Sequence, residues 1–131
     1  MGHIPDFRCK KLGGRYGEWL AERNFLSKNY KFIARNWRSI RDRRMEIDLI
    51  FRKDEVLVFV EVRARKSGSQ VNGFNSLNYK KRKALNRSMN AFLIENDSSI
   101  EYFRLDLAEV DLPRSKKEKP LFFHHENIAI F

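Results

Sequence analysis

Val56-Leu57-Val58-Phe59-Val60-Glu61-Val62-Arg63 alternates two apolar faces before it turns polar. Val56, Val58, Val60 and Val62 share one face; Leu57, Phe59, Glu61 and Arg63 share the other. Side chains of a strand alternate across the sheet, so both faces of this segment begin apolar. Such a strand belongs at the centre of a sheet, covered above and below. Only its end, with Glu61, Arg63 and Arg65, is fit to meet water.

Upstream, Arg52-Lys53-Asp54-Glu55 is a charged turn. Before it, residues 44–51 alternate again, with Met45, Ile47, Leu49 and Phe51 against Glu46, Asp48 and Ile50. The two runs predict an antiparallel hairpin. Residues 30–38 read as a further strand, and Asn29 as the stop of a helix over 13–28. Leu12, Tyr16, Trp19, Leu20 and Leu26 fall on one side at helical spacing, and Gly14, Gly17 and Ala21 on the opposite side. The second side is smooth enough for another backbone to approach closely. Glu18 sits at its edge.

Downstream, residues 67–76 are rich in Ser, Gly, Gln and Asn and read as a loop. A helix over 77–95 follows, with Leu77, Leu85, Met89, Phe92 and Leu93 as its apolar stripe. Residues 101–107 read as a strand, 113–120 as a lysine-rich loop, and 121–131 as a last strand. Strand, helix and strand in succession predict a parallel crossover. The expected architecture is α/β, a central mixed sheet flanked by helices. The 131 residues fit a basic lead-in over 1–12 and one domain over 13–131.

Lys and Arg number 27 against 17 Asp and Glu, a net charge of +10. Such a field draws polyanions: DNA, RNA, anionic lipid surfaces or acidic proteins. Charge and size together favour nucleic acid. The single cysteine, Cys9, excludes a disulfide framework and fits a reducing compartment. No stretch approaches the ~20 apolar residues of a membrane span, and residues 1–11 lack the apolar core of a signal peptide. A cytoplasmic protein with no membrane partner is expected.

Asp48 and Glu61 are acids on otherwise apolar strands that a hairpin brings together. Two neighbouring carboxylates repel, and burying them is costly. A divalent cation resolves both problems, and oxygen donors near phosphate suit Mg²⁺ or Mn²⁺. The ordinary alternative is a pair of surface acids matched by Arg44, Arg63 or Arg65. Glu46, nearer the start of its strand, reads as a surface ion pair before a metal ligand. Lys80, Lys81, Lys83 and Arg87 on the second helix form either its solvated face or one wall of a phosphate-binding groove. Lys66 and the three arginines extend that cationic set. His3, Cys9, His124 and His125 lack zinc-ligand spacing, and adjacent His124 and His125 point to opposite faces of a strand. Trp37 and Tyr79 read as core aromatics before base-stacking ones.

Gly14-Arg15-Tyr16-Gly17-Glu18, Ala21, Arg35-Asn36-Trp37-Arg38, Glu46-Ile47-Asp48-Leu49-Ile50, Phe59-Val60-Glu61-Val62-Arg63-Ala64-Arg65 and Glu126-Asn127-Ile128-Ala129 together resemble the YraN-like family of small bacterial proteins. That family is similar to the restriction-endonuclease-like superfamily and its archaeal Holliday-junction resolvases. The resemblance implies the restriction-endonuclease-like fold and a site of Glu18, Asp48, Glu61 and Arg63. Glu18, Asp48 and Glu61 would hold Mg²⁺ or Mn²⁺. It also implies DNA rather than RNA, branched or single-stranded, and a homodimer. Two positions depart from the pattern. Met45 stands where the family has Gly, and Arg63 stands where it has the Lys that positions the attacking water. Arginine stays protonated and cannot act as a base, though it clamps phosphate well. Lys66, Lys80 and Lys81 are the candidate substitutes. A metal-dependent endonuclease is therefore expected. The alternatives are a nucleic-acid-binding module that has lost catalysis and an assembly factor.

Overall fold

Five strands form one sheet in chain order: β1 (Lys31–Arg38), β2 (Glu46–Lys53), β3 (Val56–Lys66), β4 (Tyr102–Leu112) and β5 (Leu121–His125). The computed structural model describes residues 10–66, 77–113, 115 and 117–129. Only β3 and β4 pair in parallel; the other neighbours are antiparallel. The sheet is thus mixed, and β3 is its central strand, as its two apolar faces require. Val58 and Phe59 point to opposite faces, and both are 0% exposed.

One helix covers each face. Helix α1 (Lys10–Ser27) packs over β3 and β4, and helix α2 (Tyr79–Glu95) over the other side. Beneath α1 lie Leu49, Phe51, Val58, Val60 and Ala108 with Ala21 and Phe25. Beneath α2 lie Leu57, Phe59, Leu105 and Leu107 with Leu85, Met89 and Phe92. Trp37 joins this second layer edge-on to Phe92, the core role expected of it. No helix among the described residues is long and apolar enough to cross a membrane.

Helix α1 starts at Lys10, so part of the expected lead-in is helical. It stops where Asn29 takes φ 68, the left-handed turn that Asn tolerates. It docks through its smooth side. A Cβ added to Gly17 would stand 2.7 Å from the Cβ of Ala64 on β3. The bulky side is left partly open: Tyr16, Trp19 and Leu20 are half-buried and Leu26 is exposed. Helix α2 starts after Asn78, whose side chain accepts the Lys81 N–H at 2.8 Å. That cap fixes which residues form the first turn. The loop expected before it lies outside the described residues.

Two strand ends differ most from expectation. β4 runs on to Leu112 instead of ending at 107, because Ala108 and Val110 continue its apolar face. β5 ends at His125 instead of 131. Beyond it, the Ile128 N–H donates to the Leu105 carbonyl at 2.7 Å, and Ile128 closes the core beneath α2. The alternation expected for β2 also breaks. Ile47 and Ile50 both enter the layer beneath α2, a spacing of three that interrupts the pleat around Asp48. The β2–β3 ladder runs from Lys53↔Val56 to Leu49↔Val60. Asp48 and Glu61 stand one position beyond it.

Candidate active site

At the end of that ladder the Asp48 and Glu61 side chains are hydrogen-bonded to each other. The Val62 N–H donates to Asp48 Oδ2 at 2.8 Å, fixing the carboxyl. Glu61 is only 6% exposed. Burial pushes the Asp48 carboxyl up to about 8, the neighbouring Glu61 charge adds to the shift, and the Val62 N–H opposes it. Burial and the Glu61 charge thus favour the protonated form of Asp48 near neutral pH.

Glu18 bears on this pair from α1. Burial raises its pKa, a side-chain hydrogen bond with Asn36 opposes the rise, and the charges of Glu46 and Glu61 add to it. Glu18 in turn raises Asp48. The three acids named from the sequence thus share one electrostatic site: Asp48 and Glu61 by contact, Glu18 through its field. Among the described residues no group of three His, Cys, Asp or Glu side chains is drawn together as a finished metal-ligand set. Glu46 is exposed and pairs with Arg38 at 2.9 Å, the surface role expected of it. Two hard carboxylates in contact, one kept neutral only by a proton, are a donor set that suits a divalent cation.

Two cations meet the buried acid. Arg63 Nη2 is 3.2 Å, and Lys81 Nζ 3.3 Å, from Glu61 Oε2. The Arg63 Nε is buried with no hydrogen-bond partner among the described residues, a donor still to be used. Of the three candidate substitute lysines, Lys81 reaches Glu61. Lys80 is exposed, and the Lys66 side chain lies outside the described residues.

The remaining cations are dispersed. Arg44 is 91% exposed and bound to Asp42 at 2.9 Å in the turn between β1 and β2. Arg65 is held by Glu109 and by Asp111. Lys83 and Arg87 are exposed on α2. Tyr79, expected in the core, is 61% exposed, because it opens the first turn of α2, with the Lys83 ammonium over its ring.

Sequence reasoning missed a second set of buried acids. Asp106 and Glu109 on β4 are 0% and 2% exposed. Asp106 accepts from Arg104 at 2.9 Å and from the Asn127 N–H at 3.0 Å, and His124 Nε2 lies 2.7 Å away. Despite burial, these bonds hold its carboxyl below the usual range. His125 Nε2 lies 2.6 Å from Glu109. The adjacent histidines do point to opposite faces, and each pins β5 to β4. The signal was present, since Asp106 and Glu109 interrupt an apolar strand as Asp48 and Glu61 do.

Beside Glu18 a groove of about 540 Å³ runs between α1 and β1, lined in part by Arg15, Trp19, Arg23 and Asn36.

The profile of the uncharacterised protein family UPF0102 matches residues 17–110, a span that holds Glu18, Asp48, Glu61, Arg63 and Lys81. A UPF0102 protein of Alkaliphilus oremlandii is 34% identical over 109 residues, covering 82% of this chain and 90% of the relative. One from Herpetosiphon aurantiacus is 32% identical over 125 residues, covering 92% and 96%. One from Anaeromyxobacter dehalogenans is 52% identical over 62 residues, covering 44% and 40%.

Proposed function

The chain belongs to the UPF0102 (YraN-like) family, and we propose that it is a Mg²⁺- or Mn²⁺-dependent endonuclease of restriction-endonuclease-like fold that acts on DNA. The observation that carries this reading is the proton-sharing Asp48–Glu61 pair, with Arg63 and Lys81 both against Glu61. In this reading Asp48 and Glu61 hold the metal, and Glu18 completes the shell directly or through water. A divalent ion bound there supplies Lewis-acid chemistry, polarising a phosphoryl oxygen and making bound water more acidic.

The chain's own residues do the rest. Arg63, always charged and with a spare Nε–H, clamps the scissile phosphate. Lys81 supplies the ammonium that the family pattern carries at the Arg63 position. Unlike arginine, a lysine can lose its proton in a suitable environment, so it is able to orient or deprotonate water. Arg44, Lys80, Lys83 and Arg87 hold the flanking backbone by charge alone, without reading sequence. Arg63 also favours a second reading, a DNA-binding module that keeps the site and has lost the chemistry.

Cleavage of single-stranded, duplex and four-way-junction DNA with Mn²⁺ separates the two, with Asp48→Ala as control. Cleavage by the wild type and none by Asp48→Ala is the expected result. No cleavage by either, with salt-sensitive DNA binding by both, replaces the enzyme with the binding module.

A further inference from the structure

We infer that the groove between α1 and β1 seats an unpaired nucleotide of the bound DNA strand, with Trp19 as the platform for its base. The inference rests on the DNA-binding reading above and names a part of the substrate, a single-stranded segment entering beside Glu18.

The first support is how α1 is fixed. Gly17, Ala21 and Phe25 are buried against the sheet. That row suffices to dock the helix, so Trp19 on the neighbouring row is not needed for the core. It stays half-buried beside the groove. Tyr16 lies stacked against it at 6.0 Å between centroids, and the Arg23 guanidinium lies 5.1 Å from its ring centre. A flat aromatic carrying a guanidinium is a surface on which bases stack without regard to sequence.

The second support is charge. Glu22, the groove's second acid, is engaged by Arg35 through two bonds at 2.9 and 3.1 Å. The lining thus carries Arg15, Arg23 and Arg35 against Glu18 and Glu22, a net positive wall that suits a phosphodiester backbone.

The third support is place and size. Glu18 lines the groove and also bears on the Asp48–Glu61 pair. A strand whose phosphate sits at the carboxylates therefore has the groove as its next station. At about 540 Å³ the groove falls within the ~300–1,000 Å³ of typical ligand clefts. The occupant is unpaired because stacking on Trp19 requires an exposed base face, and a duplex buries those faces against neighbouring base pairs.

Trp19 reports on its own site. Metal is omitted, so no cleavage intervenes, and an end-labelled oligo-dT of about 12 nucleotides is titrated into wild type and Trp19→Phe. Labelled-strand anisotropy and tryptophan emission are followed together. The expected result is emission quenched in the wild type along the anisotropy curve, and no quenching in Trp19→Phe, which still binds. Trp37, packed edge-on to Phe92, emits in both proteins, so the comparison with Trp19→Phe isolates the Trp19 signal. Trp19→Ala is expected to weaken single-strand binding about tenfold and duplex binding little. Arg15→Gln is expected to weaken single-strand binding and lower its salt slope by about one. Binding with unmoved emission, or wild-type affinity in Trp19→Ala, overturns the groove inference and leaves the endonuclease reading standing. No binding of any DNA overturns both. Quenching without metal-dependent cleavage upholds the groove and removes the enzyme.

Discussion

A carboxyl held up to about 8, as Asp48 is, binds its proton more tightly in the folded chain than in the unfolded one. Between the ordinary carboxylate range and pH 8 the folded state then holds more protons, so stability falls as pH rises. The stabilisation is complete below about pH 4 and lost as pH rises through about 8. Asp48→Asn keeps the shape and removes the ionisation. Urea unfolding is expected to show a gain of about 1–3 kcal/mol at pH 8–9 that shrinks towards pH 5, while calorimetry shows Mn²⁺ binding lost. Lys81→Met is expected to lower cleavage about 100-fold or more with DNA affinity little changed. Lys81→Arg keeps the contact with Glu61 and does not restore the rate. Asp48 and Glu61 were legible as acids that interrupt apolar strands. Lys81 was hidden among equals in a run of cations. Yet Lys81, Leu85 and Met89 fall on one row of α2, and the burial of the last two aims the first at Glu61.

Helix α1 is positioned by an absence of side chain. Gly17→Val drives methyl groups into Ala64 on β3, and thermal or urea unfolding should show a loss of about 1–3 kcal/mol. Because Glu18 is the next residue, Mn²⁺ affinity should fall with it. Gly14→Ala, with nothing within 4 Å of the added Cβ, should instead stabilise the helix by about 0.5–1 kcal/mol. The smooth side of α1 was legible in the spacing of its small residues. The true ends of β4 and β5 were not. Glu109 lies beyond the expected end at 107, and Arg104, Arg65, His124, His125 and the Asn127 N–H make the burial of Asp106 and Glu109 tolerable. Those partners lie mostly on other strands, beyond the reach of a local pattern.

On the scale of the whole molecule, the chain carries a net charge of +10. Five cations, Arg44, Arg63, Lys80, Lys83 and Arg87, are assigned to phosphates in the proposed reading. Duplex affinity measured by anisotropy from 50 to 200 mM salt should then fall with a log–log slope of about −5. A flat salt response would move this surface from nucleic acid to a protein partner. The mixed sheet and its central strand were legible because β3 is apolar on both faces. The convergence of α1, the hairpin and α2 on one point was not, since it depends on how two helices lie across opposite faces of the sheet.

That convergence joins contacts of very different reach along the chain. Asp48 and Glu61 meet through a tight hairpin turning at Asp54, φ 53, and hairpins close in about 1–10 μs. Lys81 arrives only with the crossover that lets β4 pair in parallel with β3, a non-local step that is intrinsically slower. During refolding the two acids are therefore neighbours before their ammonium partner reaches them. In that interval only a proton or Arg63 on the same hairpin relieves their repulsion. Refolding is thereby expected to be fastest in mild acid, so the residues proposed for the chemistry also bear on the order of assembly.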